Sequence, residues 1–152
     1  MSNIDKKTFR RCILFFFILT FIIYGRSIRN DYAMDDEFVI HNNQQVHGGI
    51  KAIPAIFRTT YAIGNKASYE YRPLVKATYA LEYQFFGENP HVSHFINILL
   101  YCLLVSFLFY LLLRILYNYH YLFSFGIALL FLAHPLHSEV IMSIKNRDVL
   151  LS

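Results

Sequence analysis

The sequence predicts an all-α polytopic membrane protein with three transmembrane helices and the start of a fourth. Of its 152 residues, 56 % are hydrophobic and 18 % are aromatic. The mean hydropathy of +0.37 is too high for an ordinary soluble domain of this length. Because each spanning helix needs about 20 apolar residues, three spans use much of the chain. We therefore expect residues 1–152 to form part of one membrane domain, with no separate soluble domain.

The first predicted span covers residues 12–25 and is rich in Phe, Ile and Leu. Cytoplasmic ends of spans carry an excess of Lys and Arg, which predicts a cytoplasmic N-terminus in an inner or plasma membrane. A basic head before a short apolar run is also typical of a signal peptide, but the residues after Tyr24 match a cleavage site poorly. Four basic residues precede the apolar run: Lys6, Lys7, Arg10 and Arg11.

Two further spans are predicted in the second half of the chain. Residues 95–113 contain no charged side chain, and Arg114 closes the segment, so this is the clearest span. The apolar run over residues 121–133 is followed directly by His134-Pro135. This indicates either a short span or a bent helix that continues past the proline. The chain turns apolar again after residue 144, as at the first turn of a fourth span.

The segment between the first two spans, residues 26–94, is predicted to be a long outer loop. It carries seven basic and seven acidic residues, so its net charge of zero offers no resistance to export. Apolar residues recur around Pro54, and a second apolar stretch over residues 74–86 begins just after Pro73. Both stretches predict short helices, which either lie along the membrane surface or pack on one another.

A run of three carboxylates, Asp35, Asp36 and Glu37, follows the first span. Adjacent carboxylates repel one another, which raises the pKa of at least one of them or recruits a cation. Oxygen ligands of this kind suit a hard divalent metal such as Mg²⁺ or Mn²⁺. The alternative is a solvated acidic turn that caps a following helix.

Two more polar clusters are predicted on the same side of the membrane. His137 and Glu139 can point at one ion in an extended or turning backbone, although in a helix they do not share a face. The alternative is that His137 or Ser138 caps a short helix. In the other cluster, Arg72 presents a planar fork of donors suited to phosphate, and the flanking Tyr71 and the later Lys76 strengthen an anion site. A surface arginine before a proline-started helix is the simpler interpretation.

The order of these motifs resembles the N-terminal membrane region of the GT-C superfamily, specifically the protein O-mannosyltransferase-like proteins that often carry tetratricopeptide repeats. The resemblance covers nearly the whole chain. It rests on these residues in order: Asp35-Asp36, Asn42, Tyr71-Arg72-Pro73-Leu74, Phe86-Gly87-x-Asn89-Pro90, His94-x-x-Asn97, His134-Pro135-x-His137-Ser138-Glu139 and Arg147-Asp148-x-Leu150-Leu151-Ser152.

This resemblance implies a glycosyltransferase that moves a sugar, in this family mannose, from a polyprenyl-phosphate donor to a hydroxyl of a protein or glycan acceptor on the outer face. It implies catalytic roles for Asp35 and Asp36 and donor contact by Arg72, with Tyr71 and Lys76 beside it. A divalent metal would be held by Asp36, Glu37, His137 and Glu139. The expected partners are the donor, the acceptor and membrane lipid, and not nucleic acid.

Family members have many more spans than three, so we expect this chain to be a fragment that is inactive by itself. The alternative function is a non-catalytic membrane fragment or a subunit that binds a larger partner. A metal or proton transporter ranks last, because it requires ionisable residues inside the spans.

Overall fold

The computed structural model describes residues 4–33, 36, 39–40, 43–58 and 71–151. Every regular element within these ranges is helical, as the sequence predicts. Short 3₁₀ helices cover Gly25–Arg29 and Gly49–Ala52. The α-helices are α1 (Lys6–Tyr24), α2 (Gln44–His47), α3 (Ile53–Ile56), α4 (Pro73–Phe86), α5 (Pro90–Ile115), α6 (Tyr121–Leu132), α7 (Leu136–Met142) and α8 (Arg147–Leu151).

Helix α1 begins six residues before the predicted first span. Asp5 caps it, because its carboxylate accepts a hydrogen bond from the Thr8 backbone N–H at 2.6 Å. The four basic residues that precede the apolar run therefore lie in the first two turns of the helix, where their long side chains are exposed. Together with the following 3₁₀ turn, the helix forms a 24-residue candidate span, Lys6–Arg29.

Helix α5 begins at a turn whose residues each have a specific backbone role. Gly87 has φ of 64°, a left-handed conformation that glycine adopts without strain. Asn89 accepts hydrogen bonds from the backbone N–H groups of His91 at 3.0 Å and Val92 at 3.4 Å. Pro90 then occupies the first helical position, where a backbone N–H would have no partner within the helix, so its absence in proline costs nothing. This turn connects α4 to the 26-residue candidate span Pro90–Ile115. Helix α5 is therefore longer at both ends than the predicted span 95–113.

The third predicted span is bent. Helix α6 ends at Leu132, α7 starts at Leu136, and their axes differ by 64° across Pro135, as the bent-helix alternative predicted. Two tyrosine hydroxyls bind the free carbonyls at the end of α6. Tyr24 donates to the Leu132 carbonyl at 3.0 Å, and Tyr101 lies 3.2 Å from the same oxygen.

Helices α1, α5 and α6 pack through a core of aromatic rings. The buried ring of Phe16 lies 5.4 Å from that of Phe109 and 5.0 Å from that of Phe125, centroid to centroid. Phe9 stacks on Phe109 at one end of this bundle, and Tyr24 meets Tyr101 at the other end. Helices α1 and α5 are therefore antiparallel.

The chain is a membrane protein. Within the described ranges, two helices are long and apolar enough to span a membrane, and the α6–α7 pair makes a third if it counts as one bent span. The predicted count of three is met only in that case. Large apolar side chains such as Ile22 and Leu130, 72 % and 74 % exposed, project outward from the bundle, as lipid-facing residues do.

A second apolar cluster lies on the segment that connects α1 to α5. It joins Val39, Ile40 and Val46 to α4 and to Ile144. The predicted helix over residues 74–86 is confirmed as α4, which begins at Pro73. The predicted helix around Pro54 is found as two short pieces, a 3₁₀ helix and α3. These helices pack on one another through α4, in agreement with the second of the two alternatives.

We expect the tyrosine hydroxyls at the end of α6 to stabilise the bundle. Tyr101→Phe removes a donor in a water-poor environment, and hydrogen bonds between membrane helices contribute about 0.6 kcal/mol on average and up to about 1.7 kcal/mol. SDS-induced unfolding in mixed micelles measures the loss. Tyr117→Phe is the matched control, because Tyr117 is 58 % exposed. Equal stability of the two variants would contradict this role.

Candidate functional site

The segment from Ser143 to Asp148 connects helix α4 and Asp36 to the bundle. Its backbone receives hydrogen bonds from two helices: Asn97 of α5 donates to the Ser143 carbonyl at 3.2 Å, and the Tyr79 hydroxyl of α4 donates to the Ile144 carbonyl at 2.6 Å. We call residues 143–148 the hub segment. Several of the motifs that carry the family resemblance meet here.

Arg147 is the centre of the hub segment. Its side chain is fully buried, and all five of its N–H donors have partners. It forms an ion pair with Glu82 of α4. The Nε group donates to Asn97 at 2.7 Å, and the terminal nitrogens also donate to the Thr78 hydroxyl at 2.9 Å and the Ser93 carbonyl at 3.1 Å. A buried guanidinium needs such complete pairing, since unpaired charge is costly in an apolar interior.

Two further contacts complete the surroundings of this ion pair. The Tyr79 ring centroid lies 4.4 Å from the guanidinium carbon of Arg147, within the range of a cation–π interaction. The Ser93 hydroxyl donates to Glu82 at 2.8 Å. Helices α4, α5 and α8 are thus joined by one polar network in an otherwise apolar environment.

Asp36, one of the two predicted catalytic residues, also contacts the hub segment. Its carboxylate accepts a hydrogen bond from the Ala33 backbone N–H at 2.9 Å and one from the Lys145 backbone N–H at 2.8 Å. The side chain is only 1 % exposed. Each carboxylate oxygen therefore has a backbone partner, and the contact between Asp36 and Lys145 bridges residues 109 apart in the chain.

Asp35 and Glu37, the other two carboxylates of the acidic run, lie outside the described residues, as does Asn42. The prediction that Asp35 is catalytic and that Glu37 binds a metal stays a prediction.

Arg72 lines an open cleft of about 370 Å³ between the start of α4 and α8. It forms an ion pair with Asp148 of the hub segment, and about a third of the side chain is exposed. Tyr71 also lines the cleft, and its hydroxyl donates to the Phe57 carbonyl at 2.6 Å. Within the described ranges, the second oxygen of Asp148, Oδ1, is buried and accepts no hydrogen bond. The rest of the lining is apolar: Pro73, Leu74, Val75, Val149 and Leu151.

Lys76 does not line this cleft, although its place one turn after Arg72 predicted that it would strengthen an anion site. Its side chain is 1 % exposed, and its ammonium group donates to the Gln45 side chain at 2.6 Å. Burial lowers the pKa of Lys76 below the ordinary value of 10.5. Lys76 therefore joins α4 to α2 in the interior.

The predicted metal ligands His137 and Glu139 lie on α7. His137 is half-buried against aromatic rings, 4.3 Å from Phe131 and 5.6 Å from Tyr101 between ring centroids, and Glu139 is exposed. Among the described residues, no group of three or more His, Cys, Asp or Glu side chains is placed to hold a metal ion. Asp36, His137 and Glu139 therefore do not form a metal site among themselves.

The alternative prediction for this motif, a short helix, is found as α7. The predicted caps differ, because the ring nitrogen Nδ1 of His134 lies 3.4 Å from the Leu136 backbone nitrogen, whereas the Ser138 hydroxyl donates back to the Pro135 carbonyl at 2.6 Å. The N-cap position of α7 is Pro135, which has no side-chain capping hydrogen bond, so neither His137 nor Ser138 is the cap.

Sequence reasoning missed the central roles of Glu82, Asn97, Arg147 and Asp148. One signal was available: Glu82 stands in the apolar stretch of residues 74–86, where an ionisable residue needs a partner. No pattern in the sequence indicates that Glu82 and Arg147, 65 positions apart, pair with each other.

We expect the Arg147–Glu82 pair to behave as one unit. Arg147→Met or Glu82→Gln alone leaves a buried charge unpaired and should lower the free energy of unfolding by about 3 to 5 kcal/mol. The double variant should lose less than the sum of the two. Unfolding in mixed micelles measures these losses, with exposed Arg58→Met as the control. A loss no larger in Arg147→Met than in the control would contradict this arrangement.

The lowered pKa of Lys76 predicts a pH dependence of stability. The unfolded chain binds this proton more tightly than the folded chain, so stability should rise as the pH increases from the lowered pKa toward 10.5. Lys76→Met should flatten that rise, while exposed Lys51→Met should preserve it. The measurement is the unfolding free energy across the alkaline range. An unchanged profile in Lys76→Met would show that the site is open to water.

No family model matches the chain, and no solved structure matches it. Curated relatives do match. The chain is 34 % identical over 134 residues to "Protein O-mannosyl-transferase TMTC1" of Mus musculus, which covers 85 % of this chain and 14 % of the relative. The same-named Homo sapiens protein is also 34 % identical over 134 residues, covering 85 % of this chain and 15 % of the relative.

A Caenorhabditis elegans protein, "Protein O-mannosyl-transferase F38B6.6", is 28 % identical over 146 residues, covering 93 % of this chain and 21 % of the relative. The chain thus spans about one seventh of the first two relatives. The identity extends over most of the chain. Over most of its length the chain is therefore homologous to part of proteins named protein O-mannosyl-transferase.

Proposed function

We propose that the chain forms part of the active site of a glycosyltransferase that moves mannose from a polyprenyl-phosphate donor to a hydroxyl of a protein or glycan. The observation that carries this proposal is the meeting of two motifs on the hub segment. Asp36 binds the backbone at Lys145, and Arg72 pairs with the neighbouring Asp148. A carboxylate motif and a basic motif from distant parts of the sequence thereby adjoin one short segment.

Within the acidic run, we assign the catalytic role to Asp35 and a positioning role to Asp36. Both oxygens of Asp36 accept backbone hydrogen bonds, and the side chain is closed to solvent. A general base must reach the proton that it removes, so a carboxylate held in this way is better suited to fixing the loop. Its neighbour Asp35 is then the candidate base, and Asp36 anchors the backbone from which Asp35 extends.

The cleft beside Arg72 is the candidate site for the donor. A polyprenyl phosphate combines an anionic group with an apolar chain, and the cleft combines one partly exposed guanidinium with an apolar lining. Arg72 can form bidentate hydrogen bonds to phosphate. In the proposal, donor phosphate replaces Asp148 as the partner of Arg72.

In the proposed reaction, Asp35 accepts the proton and the donor phosphate is the leaving group. Asp35 takes the proton of the acceptor hydroxyl, the hydroxyl oxygen bonds to the anomeric carbon of the sugar, and the bond from that carbon to the donor phosphate oxygen breaks. The polyprenyl phosphate leaves with the bonding electron pair, and Arg72 offsets its charge.

The proposed transfer reaction includes no step at a metal ion. The described members of the predicted set, Asp36, His137 and Glu139, do not gather into a ligand group, and both oxygens of Asp36 already have partners. The prediction that Mg²⁺ or Mn²⁺ takes part rests on Asp35 and Glu37.

We also propose that the N-terminus is cytoplasmic and that the hub segment faces the outer compartment. Basic residues favour the cytoplasmic side. The start of α1 and the end of α5 lie at the same end of the bundle, and both carry exposed basic residues, among them Arg10 and Arg114. The hub segment lies toward the other end.

The test of the catalytic assignment is transfer from a radiolabelled polyprenyl-phosphate mannose, measured on the longest product of the gene that encodes this chain. Asp35→Asn should abolish transfer, by a factor of at least about 100, while leaving thermal stability unchanged. Asp36→Asn should lower both transfer and stability, because an amide accepts only through its one oxygen.

Exposed Glu139→Gln is the matched carboxylate control for stability. Full transfer in Asp35→Asn would refute the assignment. Absence of transfer in the unaltered protein, with this and other polyprenyl-phosphate sugars, would favour the alternative of a non-catalytic or partner-binding subunit.

A further inference from the structure

The end of the bundle opposite the hub segment is strongly basic. Among the described residues, four basic side chains at the start of α1 and Arg114 at the end of α5 lie there, together with one carboxylate, that of Asp5. Five positive charges therefore face one negative charge at this end of the bundle.

These basic residues surround an open cleft of about 570 Å³ between α1 and α5. Lys6 and Arg10 line it from α1, and Arg114 lines it from α5. All three side chains are exposed. The floor of the cleft is apolar and includes Phe9 and Leu113.

The basic side chains that line this cleft are exposed, whereas the Asp5 carboxylate, which also lines it, is engaged at the start of α1. Asp5 binds the Thr8 backbone N–H and the Thr8 hydroxyl, which commits the acidic side chain and covers the end of α1. Arg114 is oriented by Tyr110, because it donates to the Tyr110 hydroxyl at 3.0 Å and its guanidinium carbon lies 5.2 Å from that ring. The guanidinium is thereby held at the rim of the cleft.

We propose that this cleft binds an anionic phospholipid. A phosphate-containing headgroup matches the three cations, and the glycerol and upper acyl region match the apolar floor. The cleft lies at the end of helices whose outer faces carry apolar side chains, so the ligand reaches it from within the bilayer. This inference rests on α1 and α5 spanning the membrane and is independent of the proposed transferase activity.

The test uses the full chain in zwitterionic lipid nanodiscs and measures bound lipid by native mass spectrometry as phosphatidylglycerol replaces phosphatidylcholine with the same acyl chains. Phosphatidylglycerol should bind preferentially, and the preference should fall with salt. In the variant Lys6→Gln/Arg10→Gln/Arg114→Gln the preference should fall on the order of 100-fold, since each basic residue near an anionic surface contributes about five-fold.

The matched control is Arg26→Gln/Lys51→Gln/Arg58→Gln, which removes the same charges from exposed positions outside the cleft. It should keep the preference, as should Arg10→Lys/Arg114→Lys, which preserves the charge. Helicity by circular dichroism checks that each variant folds. Equal binding of the two lipids, or an equal loss in the control, would overturn the proposal. Displacement of the lipid by millimolar inorganic phosphate would also overturn it and indicate a soluble anion as ligand.

Discussion

The buried ion pair between Arg147 and Glu82 is the interaction on which the arrangement of α4, α5 and α8 depends. Burying two charges is costly, and the attraction between them offsets that cost only if the remaining donors and acceptors are satisfied. Here every guanidinium donor has a partner, contributed by α4 and α5. This requirement fixes the relative placement of three helices, because displacing any one of them leaves part of the charge unpaired.

Fixing Arg147 also fixes the backbone around it. The residues just before Arg147 accept hydrogen bonds from Asn97 and Tyr79 and donate one to Asp36. The residue after Arg147 pairs with Arg72. The position of the acidic loop and the position of the basic motif are therefore both set relative to one arginine. Such a device holds both motifs in place, since the segment between α1 and α5 has only a small apolar cluster of its own.

Local signals in the sequence predicted much of the fold. Long uncharged segments indicate α5 and α6, Pro73 indicates the start of α4, and the proline after His134 indicates the bend. The helix boundaries were less accurate: the basic residues at positions 6–11 were expected outside the first helix, yet their flexible side chains allow them to lie within it. For the site, residue types indicated Asp36 and Arg72. Nothing local indicated that Asp36 binds backbone N–H groups or that Lys76 points inward, because both facts depend on contacts over 31 to 109 positions.

The separation of these partners along the sequence determines the order in which their contacts form during synthesis. Glu82 leaves the ribosome 65 residues before Arg147, which at about 5 to 20 residues per second is a delay of about 3 to 13 seconds. Throughout that interval Glu82 lacks its cation and Asp36 lacks one of its two donors. Helices α1 and α5 can pair as soon as both have entered the bilayer, but the segment between them has to wait for α8. Synthesis thus imposes a sequence of events in which this segment closes after α1 and α5 have paired.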